Sequence, residues 1–164
     1  MSVSAAAIRT HIDYTCWASL RLLNAAAQLT PEELTRDFGT ADGSVLGTLA
    51  HLFGADRVWL ARLSGGPPAS FVTDADRDLA AIQTGWPAVL ERWKTWAADL
   101  TDEQALAPLA YHDLKGRPWQ QPLWQLVLHV VNHGTHHRGQ VSGFLRSLGH
   151  APPPVDLIYY YRQT

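Results

Sequence analysis

The sequence predicts an all-α fold, a four-helix bundle with a short hairpin or loop before its last long helix. Three observations carry that expectation. Four long stretches repeat apolar residues every three to four positions, polar or Gly/Pro-rich segments separate them, and no repeat or low-complexity segment interrupts the chain. With 164 residues, the chain is expected to form one domain, residues 1–164, that buries roughly two-thirds of its unfolded surface.

The first helical pattern runs from Ser4 to Leu29, with Ile8, Ile12, Cys16, Leu20 and Leu23 on one face, and Thr30-Pro31 ends it. A polar connection, Pro31 to Gly43, follows. Ser44 suits the N-cap of the second helix, which carries Val45, Leu49, Leu52, Leu60 and Leu63 before Ser64-Gly65-Gly66-Pro67-Pro68 stops it. A third pattern covers about Asp74 to Leu100 through Leu79, Ile82, Trp86, Leu90, Trp93 and Trp96, and Pro87 is expected to kink it or break it after Gly85. The helical period fades between Leu106 and Trp119, where Tyr111 to Arg117 suggests a short hairpin or structured loop turned at Gly116. The fourth helix extends from about Pro122 to Leu148, with Gly149 as its stop and Pro152-Pro153-Pro154 beyond.

Composition narrows the function classes. The 13 basic and 15 acidic residues give a net charge of −2 and supply no basic stripe for phosphate backbones, so no nucleic-acid role is expected. The single Cys16 makes no internal disulfide and suits a buried structural role in a reducing, cytoplasmic setting. The N-terminus has no basic segment followed by an apolar stretch, and no apolar run approaches the ~20 residues that span a bilayer, so neither secretion nor membrane insertion is expected. Seven tryptophans suit either a core or the walls of a pocket.

The most informative segment is His129-Val-Val-Asn-His133-Gly-Thr-His136-His137, followed by Arg138-Gly139-Gln140. Imidazoles four residues apart on a helix project from one face and can reach a single ion, although a surface histidine face or a hydrogen-bonded core cluster would show the same spacing. The Glu that makes H-E-x-x-H specific is missing. With His133 at zero, Leu126, Val130, Val141, Phe144, Leu145 and Leu148 fall between roughly 20 and 120 degrees. His137 then lies at about 40 degrees, His129 near −40, His136 near −60 and Gln140 near −20. His133 and His137 are therefore the inward pair. His136 belongs at the edge or in solvent, His129 is borderline, and Gln140 is placed to hydrogen-bond a ligand imidazole or a water.

A third ligand must come from another helix. His51 sits at the margin of the apolar side formed by Leu49, Leu52, Ala55, Trp59 and Leu63, where it is either a ligand or a core histidine bonded to a carbonyl. Asp56 lies on the same apolar side. A buried carboxylate needs a partner, so it is expected to pair with an arginine or to orient a ligand imidazole.

Two stretches resemble the signatures of DinB-like proteins, the DinB/YfiT-like family of metalloenzymes: Gly43-Ser44-Val45-Leu46-Gly47-Thr48-Leu49-Ala50-His51-Leu52-Phe53-Gly54-Ala55-Asp56 and Val130-Val131-Asn132-His133-Gly134-Thr135-His136-His137-Arg138-Gly139-Gln140-Val141. The resemblance extends to Tyr14-Thr15-Cys16-Trp17-Ala18 and Trp59-Leu60-Ala61-Arg62-Leu63, and thus over nearly the whole chain. It implies an up-down-down-up four-helix bundle, often a homodimer, with a divalent metal, usually zinc or nickel, held by three histidines that fall here on His51, His133 and His137. Ser19 departs from the pattern, since many relatives carry Asn there.

Three imidazoles leave at least one position open on a tetrahedral ion, the arrangement of catalytic sites. Such an ion lowers the pKa of bound water to about 7 or holds a thiol as thiolate. The expected function is a metal-dependent enzyme acting on a small molecule, either a thiol-dependent transferase, as the resemblance suggests for low-molecular-weight thiols, or a hydrolase. Gln140 is a candidate to position a water. Arg138 and Arg62 are candidates to bind an anionic substrate, with surface salt bridging as their alternative role. A second reading is a non-catalytic or stress-response module with a structural metal, its site closed by His129 or by His11. The aromatic surplus, including Trp93, Trp96 and Tyr159-Tyr160-Tyr161, fits a dimer surface or caps on the core.

Overall fold

The computed structural model of the chain describes residues 3–163. In chain order the elements are helix α1 (Ala5–Ala26), the short α2 (Pro31–Thr35), α3 (Val45–Leu63), a 3-10 turn (Asp74–Arg77), α4 (Leu79–Ala98) and the short α5 (Asp102–Leu106). Strands β1 (Pro108–His112) and β2 (Pro118–Pro122) follow, then α6 (Leu123–Ser147) and a short α7 (Leu157–Tyr161). Local chemistry sets the boundaries: Ser4 accepts from the Ala7 amide at 3.2 Å and Ser44 from the Gly47 amide at 3.0 Å. The polar connection conceals α2, capped reciprocally by Thr30 and Glu33. Five residues are too few to show a hydrophobic period. The hairpin is longer than its turn suggested, with Tyr111 paired to Trp119 and Gly116 at φ 77°.

Contacts between named residues fix the directions of the four long helices. Phe53 of α3 lies against Gly85 of α4 and, further along, Asp56 meets Trp86 and Trp93, while Trp59 and His51 of α3 meet His129 and His133 of α6 respectively, so α3 runs with α4 and against α6. The Cys16 thiol of α1 meets the Leu90 carbonyl, Arg9 reaches that of Leu100, and Ser19 meets Arg138. Helix α1 therefore opposes α4. The result is an up-down-down-up bundle in which α1 and α3 each pack against both α4 and α6.

Two expectations are corrected here. Helix α4 runs from Leu79 to Ala98 without a break at Pro87, and its turn at Asp74–Arg77 is a separate 3-10 segment. Proline removes one hydrogen bond there, and the buried Trp86, Val89, Leu90 and Trp93 pack both halves into the same core. Asp56 pairs with neither an arginine nor an imidazole. It accepts a hydrogen bond from the Trp86 indole at 2.8 Å, and burial pushes its pKa up to about 6 against the opposing pull of that bond and of the Arg138 charge. Of its two readings Trp93 takes the core one: it is buried and donates to the Asp56 carbonyl at 3.1 Å. Cys16 is the buried structural thiol expected, its pKa raised to about 12 by desolvation. Of the tail rings, Tyr160 packs on Tyr14 and Trp17, whereas Tyr159 and Tyr161 are exposed.

Candidate metal centre

His51 from α3 and His133 and His137 from α6 form a group in which one ligand atom from each residue lies within 4.8 Å of the others. The Nε2 atoms of His51 and His133 are 3.0 Å apart. Two nitrogens each about 2.0–2.1 Å from a tetrahedral ion would be separated by about 3.3 Å, so the imidazoles accommodate a metal with a shift of a few tenths of an ångström. The opposite ring atoms are held by acceptors. His137 Nδ1 lies 2.7 Å from Gln140 Oε1, and His51 Nδ1 lies 3.1 Å from Asp42 Oδ1. Each acceptor favours the tautomer with hydrogen on Nδ1, leaving the Nε2 lone pair free. Burial and the neighbouring imidazoles push the pKa of His133 down to about 3, and burial also lowers that of His137. Neutral imidazoles are the form that binds metal. The donor set thus fits a divalent ion.

Asp42 was not legible from the sequence. It sits in the Pro31 to Gly43 connection, outside any helical period, and it also approaches His137 Nδ1 at 3.6 Å, so one carboxylate faces two ligand rings. The only available signal was general, that ligand histidines tend to hold a carboxylate behind them. Two glycines let chain segments close on His51. A Cβ on Gly47 would strike the Asp42 carbonyl oxygen, and one on Gly54 would strike that of Phe71. The Phe71 ring in turn meets the His51 ring edge-on at 5.1 Å. Its segment is fixed by Arg57, which donates to the Ser70 and Phe71 carbonyls and pairs with Asp76 at 2.7 Å. That pairing holds the Asp76 carboxyl down at about 2.

The remaining sequence candidates separate clearly. His136 is exposed, in keeping with its facing angle. His129 packs on Trp59 with ring centroids 5.1 Å apart, and neither it nor His11 belongs to the three-histidine group. Gln140 touches a ligand imidazole, one of its two expected roles. Arg138 is corrected from both readings given to it. It is 1% exposed, so it makes no surface salt bridge, and it points into the bundle interior. There its guanidinium lies 5.4 Å from the Tyr14 ring, donates to Thr135 Oγ1 at 3.1 Å and reaches Ser19 Oγ only at 3.4 Å.

Beside the imidazoles a cavity of about 580 Å³ opens between α3, α6 and the hairpin. Its walls include Trp59, Phe71, Tyr111, Arg62 and Gln125 together with His51 and His133. That volume suits a small molecule.

A four-helix bundle with three convergent histidines from two facing helices defines a class of metal-binding bundle proteins. The chain belongs to the DinB family, whose family model matches residues 1–164. It is 24% identical over 160 residues to the protein DinB of Bacillus subtilis strain 168, covering 93% of this chain and 92% of that protein. Among solved structures it is similar to YfiT from Bacillus subtilis, described as a probable metal-dependent hydrolase with an unusual four-helix bundle topology. The TM-score is 0.73 at 17% identity, covering 92% of this chain and 93% of that one. A DinB-like protein from Bacillus cereus ATCC 10987 matches with a TM-score of 0.60 at 22% identity, over 95% and 100% of the two chains.

Proposed function

We propose that this protein is a metal-dependent enzyme that transforms a small molecule at the His51, His133 and His137 centre, by hydrolysis or by transfer of a low-molecular-weight thiol. The observation that carries this reading is the convergence of three imidazoles, two of them oriented from behind, beside a substrate-sized cavity. A divalent ion bound there, zinc or nickel as the family resemblance implies, would supply Lewis acidity toward a substrate oxygen or sulfur. The chain's own residues do the rest. Asp42 and Gln140 keep two ligand rings in register, and Trp59, Phe71 and Tyr111 form an apolar wall that limits water around the bound substrate.

A structural metal is the competing reading, and it requires a fourth protein ligand. Among the described residues the group offers three histidines, and His129, its ring centroid 5.8 Å from that of His133, is engaged with Trp59. This favours an exchangeable fourth position. A homodimer in a reducing, cytoplasmic setting completes the proposal. The buried, unpaired Cys16 agrees with that setting, and no helix among the described residues is long and apolar enough to cross a membrane.

The test compares wild type with His137→Ala, both purified without a nickel column. Metal is quantified, and turnover is measured with bacillithiol, mycothiol or glutathione plus an electrophile and with ester and amide substrates. The expected result is loss of metal and of turnover together. Retained metal in the variant, or wild type that holds metal yet turns over none of these substrates, overturns the reading.

A further inference from the structure

We propose that Arg62 is the receptor for a carboxylate on the substrate, in the same cavity that His51 and His133 line. The inference deepens the proposed function and rests on it for the location of the chemistry. Arg62 lies near the end of α3, with its guanidinium carbon 4.7 Å from the Trp59 ring centroid and 5.6 Å from that of Tyr111. A guanidinium stacked on rings presents its N–H groups at its edge, the geometry that takes a carboxylate in two parallel hydrogen bonds. Among the described residues those donors meet no hydrogen-bond acceptor, and the side chain is half-buried on the cavity wall. Desolvation is the largest influence on it and lowers its pKa, opposed only in part by Tyr111 and Asp113.

The one carboxylate on the cavity wall is Asp113, and it is already engaged. It accepts from Arg117 Nε at 2.7 Å, from the Trp119 indole at 3.2 Å and from the Lys115 and Arg117 backbone amides. Lys115 and Arg117 also line the cavity, which is therefore cationic at its hairpin side although the whole chain carries −2. The path between the two ends is continuous. The His133 ring neighbours that of His129, which packs on Trp59, which carries Arg62. A substrate with its reacting group at the imidazoles and a carboxylate at Arg62 would span this wall.

The test titrates zinc-loaded protein calorimetrically with 6-mercaptohexanoate and with its methyl ester. Wild type is expected to prefer the acid by roughly 10- to 100-fold, the contribution of a charge-assisted bidentate contact. Arg62→Gln should lose the preference while keeping its zinc and its affinity for the ester, and Arg62→Lys should recover part of it. Equal binding of acid and ester by wild type overturns the proposal, as does a preference that survives in Arg62→Gln. Hexanoate titrated into metal-free protein separates this inference from the metal reading. Arg62-dependent binding of hexanoate by a protein that takes up no zinc would sink the metal centre alone, and zinc uptake without any preference for acid would sink the carboxylate receptor alone. Tighter Arg62-dependent binding of ethyl phosphate than of hexanoate would overturn the assignment to a carboxylate.

Discussion

His51 and His133 are separated by 82 residues, yet their Nε2 atoms meet at 3.0 Å across the α3 and α6 interface. The His51 ring does not orient itself: it depends on Asp42 behind it and on the segments that Gly47 and Gly54 admit beside it.

Removing a ligand should abolish stoichiometric metal binding. His51→Ala, His133→Ala and His137→Ala are each expected to lose it, while His136→Ala, on the exposed face, keeps it. Metal quantification by mass spectrometry after gel filtration reads the outcome, and loss of metal in His136→Ala would move the site.

Asp42→Asn should weaken metal affinity by about 10- to 100-fold, because the amide no longer offers a charged acceptor to His51 and His137. Competition with a chromophoric chelator measures this. Gln140→Ala should give a smaller loss, since it supports one ring rather than two.

Gly47→Ala should mimic the loss of Asp42 without touching its side chain, since a methyl group there displaces the Asp42 backbone. The expected signature is weakened metal binding with a cost of about 1–3 kcal/mol in urea-derived stability, the range for overpacking. Unchanged metal affinity would show that the loop reaches His51 by another route.

Metal should stabilise the fold by mass action. At 100 times the dissociation constant the gain is about 2.7 kcal/mol, so chelation should lower the melting temperature by several degrees in wild type and leave His137→Ala unmoved. Differential scanning calorimetry with and without chelator checks this.

Asp56 gives the stability a defined pH dependence. Its folded pKa of about 6 lies above the model-peptide value of 3.8, so between those limits the folded state binds the additional proton. The Asp56 contribution is therefore least favourable above pH 6 and improves as pH falls toward 4. Urea unfolding at pH 7.5 and 5 should show wild type gaining relative to Asp56→Asn at the lower pH. Trp86→Phe, which removes the indole donor, should cost about 1–3 kcal/mol at neutral pH, and less at pH 5 as the carboxyl protonates.

The bundle and two of the three histidines were readable because α6 is long enough for its period to be unambiguous. Twenty-five residues of one helix place His133 and His137 on the inner side and His136 outside by arithmetic alone. His51 was placed only at a margin, and the family signature supplied the rest. Arg138 escaped the same arithmetic. Its angle lay just beyond the apolar arc, and the absence of a side chain at Gly134, where a Cβ would meet its guanidinium, is what makes room for it inside.

The sequence by itself determined which long segments are helical, which of their faces are apolar and which imidazoles share a face, because these follow from periodicity within one element. Only the tertiary structure decided that Asp42 stands behind His51, that Asp56 is satisfied by Trp86 instead of an ion pair, and that Arg62 lines the same cavity as His51 and His133. Each of these joins a loop or a second helix to the site, and such a pairing depends on how elements approach one another, for which local spacing contains no term.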